Sequence, residues 1–223
     1  MMNEIKLSEC IDFMIKGINV QEDTENGIEY YDIRMTNFYG NDIKLPDEKK
    51  INGKENQIKL KRLKKGDIIM PSRATVSNKI AVFNCDTTIP CVVNHQYWVI
   101  KPEENLIDSY YLLFFLLNSN TKEILNTHEK NQSTTGIPNI KALTLKELTI
   151  KLPSIEIQRE YKKLFEDSQE LFNLIKKTES LHQNFYNNIN DVEDPNLIIE
   201  KFKDVSDAKQ KLYASYDELT SKL

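Results

Sequence analysis

Three stretches of this 223-residue chain collect side chains that could recognise another molecule through hydrogen bonds. Ser72-Arg73-Ala74-Thr75-Val76-Ser77-Asn78-Lys79 mixes hydroxyls, an amide, a guanidinium fork and an ammonium. Asn131-Gln132-Ser133-Thr134-Thr135-Gly136 has the same palette, and so does Arg34-Met35-Thr36-Asn37-Phe38-Tyr39. An arginine fork fits the O6 and N7 acceptors of guanine, and an Asn or Gln amide fits N6 and N7 of adenine. The basic run Lys59, Lys61, Arg62, Lys64 and Lys65 could hold phosphates while such loops read bases. The same composition also fits loops that are polar because they face water.

Charge is distributed in a way that keeps nucleic acid open as a partner. The chain is acidic overall, at -4, but Lys44 to Lys79 holds eleven Lys or Arg against four acids. Phosphate responds to such a local patch rather than to the total. Residues 1–43 and the tail from 153 carry most of the compensating acid.

Catalytic constellations are missing from the sequence. The histidines are His95, His128 and His182, and none has a neighbouring nucleophile that would form a pair with it. Cys85, Cys91 and His95 follow a C-x5-C-x3-H spacing, without the tight CxxC knuckle or fourth ligand of a zinc site. No G-x-x-x-x-G-K-[ST] loop and no G-x-G-x-x-G fingerprint occurs. An NPPY-type methyltransferase pocket is absent, and Pro46-Asp47-Glu48-Lys49-Lys50 puts its acids on a polar loop rather than on adjoining strands as a nuclease would. The reading is a non-catalytic chain with no metal and no cofactor. Three cysteines, an N-terminus without an apolar core and the lack of a ~20-residue apolar run point to a reducing, cytoplasmic setting without a membrane.

The elements that must position these loops are legible in part. Near-twofold apolar alternation predicts one or two strands over 5–20, broken at Gly17, and further strands over 28–35, 68–70, 80–83 and 91–100. Asp108 is placed to cap a helix over 109–118, and 121–129 reads as another. Leu143, Leu145, Leu148, Ile150 and Leu152 form a short apolar segment that Pro153 ends. From Ile155 the period becomes helical, with Ile157, Tyr161, Leu164, Ser168, Leu171, Ile175, Thr178, His182, Phe185 and Ile189 on one seam. Asp194 and Pro195 restart a second helix whose stripe includes Ile198, Phe202, Val205, Lys209, Leu212, Tyr216, Leu219 and Leu223. The expected fold is mixed α/β. A head with a twisted sheet and short helices, residues 1–153, precedes a long helical hairpin or coiled-coil stalk, residues 154–223. Tyr161, Leu164, Leu171, Ile175, Phe185, Phe202, Leu212 and Tyr216 are its expected interface, because a lone amphipathic helix must bury its stripe on something.

Several segments in order resemble one family. LKKGDIIMPSRATVSNKIAVF is similar to the GDIL-x-x-R-x-G-x-x-G segment of the specificity subunits of type I DNA restriction–modification systems. YYLLFFLLNS and STTGIPNIKALTLKELTIKLPSIEIQREYKKLF resemble the end of that family's target recognition domain. Pro138-Asn139-Ile140 matches its triplet, and Leu145, Leu148, Ile150, Leu152, Pro153 and Gln158 match its l-x-x-l-x-i-x-l-P-x-x-x-x-Q motif. The chain departs from the pattern with Ala74 and Asn78 where glycines are common, and with Ile157 where Glu is. The family usually carries two recognition domains, so this chain resembles a half-sized subunit.

The resemblance implies a non-catalytic subunit that reads one half of a bipartite site in double-stranded DNA. It implies Arg73, Thr75, Gln132, Ser133, Thr134 and Asn139 as base readers, and Lys61, Arg62, Lys64 and Lys79 on phosphates. It further implies helices that dock adenine-N6 methyltransferase subunits, with room for a restriction (translocase or nuclease) subunit. A homodimer built through those helices would read a palindromic site, because a two-fold axis presents the same reader twice. An interaction adaptor, or a decoy that binds methyltransferase subunits without reading DNA, would use the same fold.

Overall fold

The computed structural model describes residues 3–73, 79–127 and 139–188, together with Lys203, Ser206, Asp207, Gln210 and Lys211. Along the chain, β1 (Asn3–Lys6) passes through a single 3-10 turn into β2 (Ile11–Lys16). The β-branched and aromatic run expected over 28–35 forms β3 (Ile28–Ile33). A 3-10 turn then leads to the short pair β4 (Phe38–Tyr39) and β5 (Asp42–Ile43). The polar stretch after Pro46 contains two elements that its weak periodicity hid, β6 (Lys50–Gly53) and α1 (Glu55–Lys61). β7 (Ile68–Pro71) and β8 (Ala81–Val82) lie where apolar runs predict them.

Residues 91–100 depart from expectation. They form two strands, β9 (Cys91–Val93) and β10 (Tyr97–Pro102), in two different sheets. The Asn94 carboxamide causes the break: its Oδ1 accepts from the Gln96 N–H at 2.9 Å, closing a side-chain turn that competes with the strand ladder. His95, expected inside the strand, is exposed on this turn.

Helices follow. Asp108 caps α2 (Ser109–Leu117) as expected, accepting from the Tyr110 and Tyr111 N–H groups. α3 (Ser119–Thr127) continues, and after residues 128–138 come α4 (Ala142–Glu147) and β11 (Thr149–Leu152). Within that segment Leu145, Leu148 and Ile150 are buried, while Leu143 is exposed. α5 (Ile155–Asn188) runs for 34 residues.

Among the described residues the strands form three sheets. The largest has the order β2-β10-β7-β8-β5-β4, a second pairs β6-β3-β9, and β1 pairs with β11. Ile33, Phe38, Ile43, Leu63, Ile69, Ala81, Val93, Tyr97 and Val99 join the two larger sheets in one core. Phe38 and Tyr97 stack within it, with ring centroids 5.7 Å apart. The β1-β11 pair brings the segment before α5 back to the N-terminus.

The chain divides into two compact units, Met1–Tyr161 and Lys162–Leu223. The second is helical at each described position. On α5, Gln158 and Phe165 are buried, and Leu164, Ser168, Leu171, Leu174, Thr178 and Leu181 are half-buried. That stripe follows the predicted period, except that Ile157 is exposed and Ile175 is 37% exposed. Tyr161 packs edge-on against Tyr111 and Phe114, with centroids 5.0 and 5.4 Å away, so this seam residue is engaged by the head. Lys203, Ser206, Asp207, Gln210 and Lys211 are exposed at i, i+3 and i+4 spacing, a polar helical face. Phe202, Leu212 and Tyr216 and the side chain of Phe185 lie outside the described residues.

Candidate nucleic-acid interface

The six-stranded sheet has two ends, and strand direction decides which side chains share one. β7 starts after the turn at Lys64–Asp67 and finishes at Pro71, with Ser72 and Arg73 just beyond its end. β10 runs antiparallel to it, with Tyr97 opposite Pro71, so Gln96 lies beside the finish of β7. β2 is antiparallel to β10, with Lys16 opposite Trp98. β8 is antiparallel to β7, which returns Lys79 to the Arg73 end. Lys16, Arg73, Lys79 and Gln96 therefore gather at one end of the sheet.

The same end receives a segment from far along the chain. Arg73 forms an isolated antiparallel bridge with Asn139. The Ile140 N–H donates to the Ser72 carbonyl at 2.8 Å, and the Trp98 indole N–H donates to the Ile140 carbonyl at 2.8 Å. The Lys16 ammonium sits 5.1 Å above the Trp98 ring. Gly17 lets the end of β2 approach the Val93–Asn94 backbone: a Cβ there would fall 2.2 Å from the Asn94 carbonyl oxygen.

These contacts frame a cleft of about 240 Å³ lined by Lys16, Ser72, Arg73, His95, Gln96 and Asn139, with Met35, Pro71 and Tyr97. Among the described residues no carboxylate lines it, in a chain whose net charge is -4. Arg73, Gln96 and Asn139 are exposed, and their side chains have no hydrogen-bond partner among the described residues. A second cleft, of about 630 Å³, adjoins the first through Met35, Gln96 and Tyr97 and reaches Asn94, Arg34 and Lys50, together with the carboxylates of Glu22 and Asp32. Much of the Arg34–Tyr39 loop is engaged internally. Arg34 pairs with Asp32 at 2.8 Å, Asn37 Oδ1 accepts from the Arg34 N–H at 2.9 Å, and the Lys44 ammonium lies 3.8 Å from the Tyr39 ring centre.

Of the residues the sequence points to, the structure brings together Arg73, Asn139 and Lys79. It does not bring Lys61, Arg62 and Lys64 to them. Those lie at the start of β7, about 20 Å away at a strand rise of ~3.3 Å per residue. There Arg62, Lys64 and Lys65 border a separate cleft of about 380 Å³. Lys65 pairs with Asp86 at 3.0 Å on its rim, and Lys59 pairs with Glu55 at 2.9 Å on α1. Thr75, Gln132, Ser133 and Thr134 lie outside the described residues. Lys16 and Gln96 were missed because they stand singly in sequence, and only strand pairing sets them beside Arg73.

The cysteines are free thiols, and burial makes them poor ligands. It pushes Cys10 up to about 11 and Cys91 up to about 12, and raises Cys85 as well. Among the described residues no group of three or more His, Cys, Asp or Glu could hold a metal ion. Nor is any described helix long and apolar enough to cross a membrane.

Comparison with known proteins bears on this surface. The profile of the type I restriction modification DNA specificity domain family matches residues 2–190. The fold is similar to a chain of a solved type I R-M system, at a TM-score of 0.53 and 16% identity, covering 98% of this chain and 45% of that one. It is also similar to the HsdS subunit from Thermoanaerobacter tengcongensis, at 0.52 and 15% identity, covering 98% and 44%. The type I restriction-modification S subunit from M. genitalium aligns at 0.50 and 16% identity, covering 87% and 47%. The chain thus spans less than half the length of these structures. No curated protein sequence matches it.

Proposed function

Because the chain belongs to the type I restriction modification DNA specificity domain family, we propose that it is a recognition subunit without chemistry of its own. The head, residues 1–153, reads one half of a bipartite site in double-stranded DNA. The helical region, residues 154–223, docks adenine-N6 methyltransferase subunits and pairs with a second copy, in the cytoplasm. The observation that carries the reading is the cleft where Arg73 and Asn139 meet at one end of the sheet, lined among the described residues by cations and amides and by no carboxylate. Lys16 and Lys79 at that end supply cations for phosphates, and Arg73 supplies a fork for a guanine. Thr75, Gln132, Ser133 and Thr134 flank these positions in sequence and complete the proposed reading set.

Replacing Arg73 with alanine is expected to weaken binding to the preferred duplex by about 1–3 kcal/mol and to relax one base position. Equal loss on every duplex would make Arg73 a phosphate contact instead. The assembly is tested by light-scattering mass of the chain alone and with a type I adenine methyltransferase subunit. Two copies alone, and a larger complex with the methyltransferase, are expected. A monomer that ignores the methyltransferase would overturn the docking role. A complex whose DNA affinity does not fall steeply with salt would favour the adaptor reading, since phosphate contacts release counterions.

A further inference from the structure

The turn between β9 and β10 presents a side chain that lies in none of the polar loops singled out in the sequence. Gln96 has its backbone held on both sides. Its N–H donates to Asn94 Oδ1 at 2.9 Å, and its carbonyl accepts from the Ser72 N–H at 2.7 Å. The side-chain amide is exposed, without a hydrogen-bond partner among the described residues, and it lines both adjoining clefts. The held backbone fixes where this amide can reach, and its donor and acceptor are both available to a ligand, at the cost of ordering one side chain.

We propose that Gln96 is a specificity-determining residue whose amide reads an adenine at a base pair close to the one read by Arg73. The inference rests on the DNA-reading function proposed above. The Ser72–Gln96 hydrogen bond places Arg73 and Gln96 on adjoining strands. Adjoining strands lie about 4.8 Å apart, and stacked base pairs about 3.4 Å apart, so the two side chains address pairs within one or two steps of each other. A guanidinium fork and a carboxamide select different bases, guanine and adenine, so together they specify more than either does alone.

The test is selection of bound duplexes from a randomised pool by the full chain, its methyltransferase partner present, for wild type, Gln96→Ala, Gln96→Glu and Arg73→Ala. The wild type is expected to enrich a defined half-site. Gln96→Ala should relax the preference at one A·T pair by roughly tenfold, within about two base pairs of the position relaxed by Arg73→Ala. Gln96→Glu keeps the side chain's size and shifts that position away from adenine, because a carboxylate only accepts hydrogen bonds. Equal loss across all duplexes for Gln96→Ala, or unchanged preference at every position, overturns the role of Gln96 and leaves the DNA-reading function standing. A wild type that enriches no sequence overturns both.

Discussion

Gln158→Leu is expected to destabilise the head by about 3–5 kcal/mol, read as a lowered urea midpoint with an unchanged slope. Gln158 is 1% exposed at the start of α5. Its Oε1 accepts from the Asp108 N–H at 2.9 Å, and its Nε2 donates to the Pro153 carbonyl at 2.9 Å and the Leu106 carbonyl at 3.1 Å. One buried side chain therefore satisfies three part-buried backbone groups, drawn from the loop before α2 and the turn before α5. Leucine fills similar space but leaves all three without partners, each at about 1–3 kcal/mol. Gln158→Glu keeps the acceptor for Asp108 and loses both donations, so it should also be strongly destabilising. A loss below about 1 kcal/mol for Gln158→Leu would mean that water replaces these bonds. The final Gln of the family motif is thus explained by the backbone it satisfies.

Lys101→Met is expected to reduce stability by about 3–5 kcal/mol at neutral pH, because it leaves a charge buried without its partner. Lys101 and Asp67 form an ion pair with side chains 9% and 5% exposed. Burial pushes the Asp67 carboxyl above the ordinary carboxylate range, while hydrogen bonds from the Lys101 ammonium and the Lys64 N–H oppose that rise. Removing Lys101 removes the larger opposition, so the carboxyl rises further. A carboxyl raised on folding binds a proton more readily in the folded chain, and its stability contribution falls as pH rises. The deficit of Lys101→Met relative to wild type should therefore be largest near neutral pH and shrink as acid protonates Asp67. The double variant Lys101→Met, Asp67→Asn should recover most of the loss, since the introduced carboxamide oxygen can still accept from the Lys64 N–H. A deficit that does not change with pH would assign the effect to lost packing of the lysine stem and of its ammonium, which lies 5.5 Å from the Phe13 ring centre.

Both residues show how differently parts of this chain could be read. Gln158 was legible through the family resemblance, as the last position of its motif, and Asp108 as a cap because local spacing is enough to signal a helix start. The strands at 28–33 and 68–71 were legible from their β-branched runs. The division of 91–100 into two strands was not, because a single Asn side chain outweighs the apolar pattern around it. β6 and α1 were hidden in a polar stretch because their partners, β3 and the core around Ile58, are distant in sequence. Lys101 lies just past the strand expected over 91–100, and nothing near it in sequence announces Asp67 as its partner.

Periodicity and residue type, which are local properties, were enough for the mixed α/β class and for the long helix from Ile155 and its stripe. They also carried the ordered segments that resemble specificity subunits. Which recognition residues stand together depended instead on strand pairing. Antiparallel pairing of β7 with β10 and β8 puts Arg73, Gln96 and Lys79 at one end, and the Ile140–Ser72 and Trp98–Ile140 hydrogen bonds add Asn139. The same pairing carries Lys61, Arg62 and Lys64 to the opposite end, although they are nearer to Arg73 in sequence than Asn139 is. An extended strand separates its neighbours by ~3.3 Å per residue, while a backbone hydrogen bond joins residues however far apart they lie along the chain.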